Sequence, residues 1–152
     1  MEPEYIIINA YLDDVKCQPS QETPYAAAMD LRANTLLPVR VNPGLTVRVP
    51  TGVHLEIPIG FAGLVVPRSG MAAQYKVTVL NSPGLIDPDF RGEIEVLVTN
   101  MGQAPFVLEP LERFAQLAFV RQPVVTLNYV GKLSDLSPTK RGQGGFGHTG
   151  VK

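Results

Sequence analysis

Thr46-Val47-Arg48-Val49-Pro50-Thr51-Gly52-Val53-His54-Leu55-Glu56-Ile57 decides the fold class. Val47 and Val49 alternate with polar Thr46 and Arg48. Val53, Leu55 and Ile57 then alternate with His54, Glu56 and Pro58. A period of two sends successive side chains to opposite faces, so each set reads as a strand with one face in a core. Ile94, Val96 and Val98 repeat the pattern against Glu95, Leu97 and Thr99. Residues 6–11, 64–66, 76–80, 115–120 and 124–129 are further strand candidates. Turn signals separate them: Asn42-Pro43-Gly44, Ser82-Pro83-Gly84 and Asp87-Pro88-Asp89.

Fourteen prolines and fourteen glycines leave few windows for a helix. The one expected helix is short, about residues 69–74, with Ser69 as its cap and Met71, Ala72 and Ala73 to propagate it. Many short strands with little helix predict an all-β sandwich or jelly roll. No internal repeat and no interdomain linker is visible. The expected division is a β domain over residues 1–130 and an extended C-terminal arm over 131–152. The stretch 131–140 would lead to a glycine-rich end.

Composition narrows the function. The chain has 152 residues, 45% hydrophobic and 18% charged, enough for one domain with a core. Thirteen basic and 14 acidic residues leave a net charge of −1, which argues against a nucleic-acid coat or a membrane-surface protein. The N-terminal apolar run is too short for a signal peptide or a membrane span. Cys17 is the only cysteine, which excludes an intrachain disulfide and a cysteine metal cluster. His54 and His148 match no metal-ligand spacing. The expectation is a soluble, intracellular, cytoplasmic protein.

Several segments carry candidate chemistry. In Arg141-Gly142-Gln143-Gly144-Gly145-Phe146-Gly147-His148-Thr149-Gly150, dense glycines leave N–H groups free for an anion. Phe146 there offers a face for a base and Arg141 a fork for a phosphate. Pro67-Arg68-Ser69-Gly70 opens the expected helix and reads as a phosphate site or as an ordinary capped turn. Asn81-Ser82-Pro83-Gly84-Leu85-Ile86-Asp87 reads as a turn flanked by strands, whose exposed backbone can pair with a base edge. Asp87, behind two apolar residues, is expected to be partly shielded and to act as a base, or else to satisfy local N–H groups. Alternation puts Phe114 on the face of Gln116, which is either structural or aimed into a site. Asp30 follows small residues, and its alternative role is an ion pair with an arginine.

The order of these segments is more specific than any one of them. Met29-Asp30-Leu31-Arg32-Ala33, Pro67-Arg68-Ser69-Gly70-Met71-Ala72, Gly84-Leu85-Ile86-Asp87-Pro88-Asp89-Phe90-Arg91-Gly92-Glu93, Arg113-Phe114-Ala115-Gln116-Leu117 and the glycine-rich end occur in sequence. Together they closely resemble the five motifs of the trimeric dUTPases, from about residue 24 to residue 150. The resemblance implies Mg²⁺-dependent hydrolysis of dUTP to dUMP and pyrophosphate, which limits uracil in DNA and supplies dUMP for dTTP synthesis. It also implies a homotrimer of jelly-roll subunits with shared active sites.

By the same resemblance, Asp87 activates the attacking water. Asn81 and the backbone of Leu85, Ile86 and Glu95 read uracil. Phe90 packs on the deoxyribose. Arg68, Ser69, Gly70 and Gln116 hold the phosphates. Arg141, Gly144, Gly145, Phe146 and His148 cap the nucleotide, with Phe146 stacked on uracil. Asp30 holds the water shell of Mg²⁺, itself bound mainly by phosphates. Three positions depart from the usual motifs: Phe90 for tyrosine, Gln143 for glutamate, and His148 for serine or threonine. The rival readings are a dCTP deaminase, a non-catalytic regulatory trimer and an RNA-binding tail. Few basic residues, Lys140 and Arg141 foremost, supply positive charge near that tail.

Overall fold

A computed structural model describes residues 5–145. Its strands run in the order β1 (Asn9–Leu12), β2 (Met29–Arg32), β3 (Val39–Val41), β4 (Thr46–Pro50), β5 (Val53–Glu56), β6 (Phe61–Pro67), β7 (Val77–Val79), β8 (Gly84–Ile86), β9 (Glu95–Asn100), β10 (Phe106–Leu108) and β11 (Arg113–Arg121). One helix, α1 (Ser69–Tyr75), sits between β6 and β7. All the strand pairs are antiparallel. The all-β class expected from the alternation is observed, and so is the jelly roll that the motif resemblance implied.

The stretch at 46–57 forms two strands in two different sheets. β4 pairs with β9 in the sheet β4-β9-β7, whereas β5 pairs with β1. The corner between them rests on two residues. Thr51, fully buried, donates its hydroxyl to the Ile94 carbonyl at 2.6 Å. Gly52 takes φ +66, and a Cβ there would come within 2.8 Å of the Asn34 amide nitrogen, so only glycine turns the chain here.

The other main sheet has the order β2-β11-β6-β8. Inward side chains of both main sheets meet in one core, with Leu31, Val65 and Leu117 from one and Val49, Val77, Val96 and Val98 from the other. Apolar burial of this kind is the main favourable term in folding.

Three expectations need correction. Residues 124–129 form no ladder and are exposed, because their apolar alternation meets no partner strand among the described residues. Of residues 6–11, only Asn9 onward pairs, against β5. Ser69 is the first helical residue rather than the cap: Arg68 occupies the cap position, with extended backbone and no side-chain capping bond. Strands β2, β3, β8 and β10 escaped the sequence reading. They are three or four residues long, and β2 buries two adjacent residues, Asp30 and Leu31, which breaks the alternation.

Candidate active site

Asp30 is the centre of one end of the site. It lies on β2, 3% exposed, opposite Gln116 on β11. Gln116 donates to its Oδ1 at 2.8 Å. Arg68 and Arg113 both approach its Oδ2 at 3.3 Å. A carboxylate removed from water is costly unless its charge is compensated, and here two guanidiniums and an amide compensate it. The ion-pair role foreseen for Asp30 is therefore the one present among the described residues.

Arg113 is the residue whose place the sequence reading missed. It stands three positions from Gln116, a spacing that strict alternation assigns to opposite faces. A register shift between Arg113 and Ala115 in the pairing with β2 breaks that alternation. Both side chains thereby reach Asp30, and adjacent Phe114 and Ala115 are both buried. The expected common face of Phe114 and Gln116 does not survive the bulge. Arg113 also pairs with the Glu22 carboxylate. A hydrogen bond from Ser20 first, and then Arg113, hold the Glu22 carboxyl below its ordinary range.

Arg68 joins this group to the start of α1. Its Nη1 donates to the Arg113 carbonyl at 2.7 Å while Nη2 faces Asp30. Its position at the end of β6, paired alongside β11, fixes that reach. Ser69 and Gly70 follow, exposed at the first turn of the helix, where N–H groups lack intrahelical partners.

A second group lies at the sheet edge. Among the described residues β8 pairs with β6 alone, with Gly63 opposite Ile86 and Val65 opposite Gly84. An edge strand presents unpaired N–H and C=O groups on its other side. Asn81 is exposed just before it. β7 and β8 belong to different sheets, so the segment between them crosses from one sheet to the other and does not close a hairpin. Asp87 follows Ile86 and is exposed, not shielded, because an edge strand leaves Leu85 59% exposed beside it. Phe90 is 42% exposed in the following turn. Glu95 starts β9 in the other main sheet, its carboxylate 3.3 Å from Arg48.

These two groups are apart within one chain. Asp87 adjoins the residue that pairs with Gly63, whereas Arg68 lies beyond the far end of β6. Gly63 to Arg68 spans up to about 17 Å at roughly 3.3 Å per strand residue. The arm adds a third part. Residues 131–143 are exposed, and Arg141 donates to the Gly144 carbonyl at 2.8 Å, curling the first glycines around it. Phe146 and His148 lie outside the described residues. Among the described residues, no three His, Cys, Asp or Glu side chains group as a metal-ligand set. No helix among them is long and apolar enough to cross a membrane.

The family model for dUTPase matches residues 16–150. The deoxyuridine 5'-triphosphate nucleotidohydrolase of Chlamydia pneumoniae is 50% identical over 133 residues, covering 88% of this chain and 90% of that protein. Its counterpart in Chlamydia muridarum is 43% identical over 132 residues, covering 87% and 90%. The fold matches a Staphylococcus bacteriophage 80alpha dUTPase solved with dUPNHPP, at TM-score 0.85 and 22% identity over 95% of this chain and 99% of that one. It also matches a mutant dUTPase of phage phi11 of S. aureus, a structure concerned with coordination of a structural Mg(II) ion, at TM-score 0.75 and 17% identity over 85% and 99%.

Proposed function

The chain belongs to the dUTPase family, and on that premise we propose how its residues hydrolyse dUTP to dUMP and pyrophosphate. The observation that carries the reading is a family match spanning residues 16–150, which takes in all the motif segments at once.

Asp87 is the general base. Its exposed carboxylate takes a proton from water as the water oxygen bonds to the α-phosphorus. The bond from that phosphorus to the bridging oxygen breaks, and pyrophosphate leaves with the electron pair. The unpaired edge of β8 at Leu85 and Ile86, with Asn81, reads uracil by strand-like hydrogen bonding. A buried polar group left unpaired by the wrong base is costly, which rejects cytosine. The role assigned to the Glu95 backbone draws on the motif alone, since β9 lies in another sheet. Phe90 packs on the deoxyribose.

Arg68, Ser69, Gly70 and Gln116 hold the phosphate chain. Asp30 and Arg113 brace Arg68 and Gln116, so the donors meet the triphosphate already oriented. Arg141, Gly144, Gly145, Phe146 and His148, on an arm distinct from the β domain, close over the nucleotide.

Mg²⁺ fits this donor set as a companion of the nucleotide. The Asp30 oxygens are engaged by Arg68, Arg113 and Gln116, which argues against direct ligation of the ion; phosphate oxygens would hold it, and any contact with Asp30 would run through water. When bound, the ion neutralises phosphate charge and fixes the geometry of the chain.

The site is shared within a homotrimer. Two facts support that reading. Asp87 and Arg68 stand at opposite ends of β6, too far apart for one chain to serve one nucleotide well. Val124, Leu127 and Tyr129 expose apolar surface in a segment without a ladder partner. The working compartment is the cytoplasm.

The test is pyrophosphate release from dUTP, dTTP, dCTP and UTP, with and without Mg²⁺. Release from dUTP alone, dependent on Mg²⁺, is expected. Ammonia from dCTP in place of pyrophosphate from dUTP would overturn the reading in favour of a deaminase.

A further inference from the structure

The turn after β8 is tied down by more bonds than an exposed turn requires. The Phe90 amide donates to the Asp87 carbonyl at 3.2 Å and closes the turn. The Arg91 guanidinium folds back across it, Nη1 donating to the Pro88 carbonyl at 2.7 Å and to the Phe90 carbonyl at 3.0 Å. Its Nη2 lies 3.7 Å from Glu56 Oε1 on β5. The other Glu56 oxygen accepts from Asn9 Nδ2 at 2.8 Å, so Glu56 is held in turn by β1. The Arg91 carbonyl meets His54 Nδ1 at 3.0 Å.

The ring of Phe90 lies against bare backbone. A Cβ placed on Gly92 would come within 2.6 Å of its Cζ and 2.9 Å of its Cε2. That is close enough that the ring must move if any side chain replaces the glycine hydrogen. The Arg91–Glu56 pair is exposed and long, and contributes little alone. The directional bonds to two carbonyls set the turn, a task that suits a planar fork rather than a point charge.

We propose that Arg91 is a positioning residue for Phe90 and that Gly92 is the surface on which its ring sits. Discrimination between deoxyribose and ribose then depends on this pair as well as on the ring. This rests on the reading of Phe90 as the ring that packs on the sugar.

The experiment measures kcat and KM for dUTP and UTP on the assembled full-length protein. The variants are Phe90→Ala, Arg91→Ala, Gly92→Ala and the double variant Phe90→Ala with Arg91→Ala, with Tm recorded for each. Arg91→Ala and Gly92→Ala should each lower the dUTP-to-UTP ratio of kcat/KM by about tenfold, the scale of one lost packing contact in a specificity pocket. The double variant should be no less selective than Phe90→Ala, because the ring that Arg91 positions is already gone. If Phe90→Ala lowers the ratio while Arg91→Ala and Gly92→Ala leave it unchanged, or depress both substrates equally, the seat is overturned and the role of Phe90 stands. If Phe90→Ala itself leaves the ratio unchanged, both readings fall.

Discussion

At the scale of single residues, two aspartates reach opposite environments. Asp30 is buried against Arg68, Arg113 and Gln116, whereas Asp87 stands exposed at the end of an edge strand. A carboxylate buried and engaged by two guanidiniums has little access to a water; an exposed one at a strand end is free to meet one. Asp87→Asn should therefore keep the affinity for a non-hydrolysable dUTP analogue while turnover falls by about 10²–10⁴, the range for a lost general base. Stopped-flow turnover together with equilibrium binding checks this. Turnover near that of the wild type removes Asp87 from the role.

At the scale of elements, the tie between β5 and the turn after β8 carries a titratable group. His54 Nδ1 meets the Arg91 carbonyl, and Nε2 lies 3.6 Å from Asp13. The ring also packs on Tyr11 at a centroid distance of 5.5 Å. The Arg91 carbonyl first, then the charge and hydrogen bond of Asp13 and the charge of Glu93, raise the His54 pKa above its ordinary 6.5, against the opposing effect of burial. A raised folded-state value means that the charged ring stabilises the fold. That contribution is fully present below the unfolded value and is lost as pH rises through the folded one. The gap in Tm between the wild type and His54→Ala should accordingly narrow as pH rises from below 6.5 through the raised value. A gap constant over that window counts against the linkage. The bulge in β11 is the other lesson at this scale. Spacing located Gln116 as a polar residue on an apolar strand, but the register shift that brings Arg113 beside it depends on pairing with β2, remote in sequence.

At the scale of the whole molecule, the proposed trimer rests on the separation of Asp87 from Arg68 along β6. Asp87→Asn in one population and truncation after Lys140 in another should each give trimers of almost no activity. Refolded together in equal amounts, they should regain about a quarter of the wild-type sites if base and arm come from different chains of a closed ring. Mixed trimers that stay at background place the base and the arm of each site on one chain.

Much of the fold was legible without coordinates. Alternation in residues 46–57 and 94–99 encodes strands by local geometry alone, because successive side chains must face opposite ways. Prolines and glycines, by excluding long helices, left an all-β sandwich or jelly roll, and the motif resemblance pointed to the jelly roll. The motif segments marked nearly every residue of the candidate site. Tertiary structure decided what depends on remote partners. It made Asp30 a buried hub, gave β8 a single neighbour and so exposed Asp87, and left residues 124–129 without a ladder. Burial and strand pairing are properties of which segments meet, and a linear pattern states only which faces are available to meet.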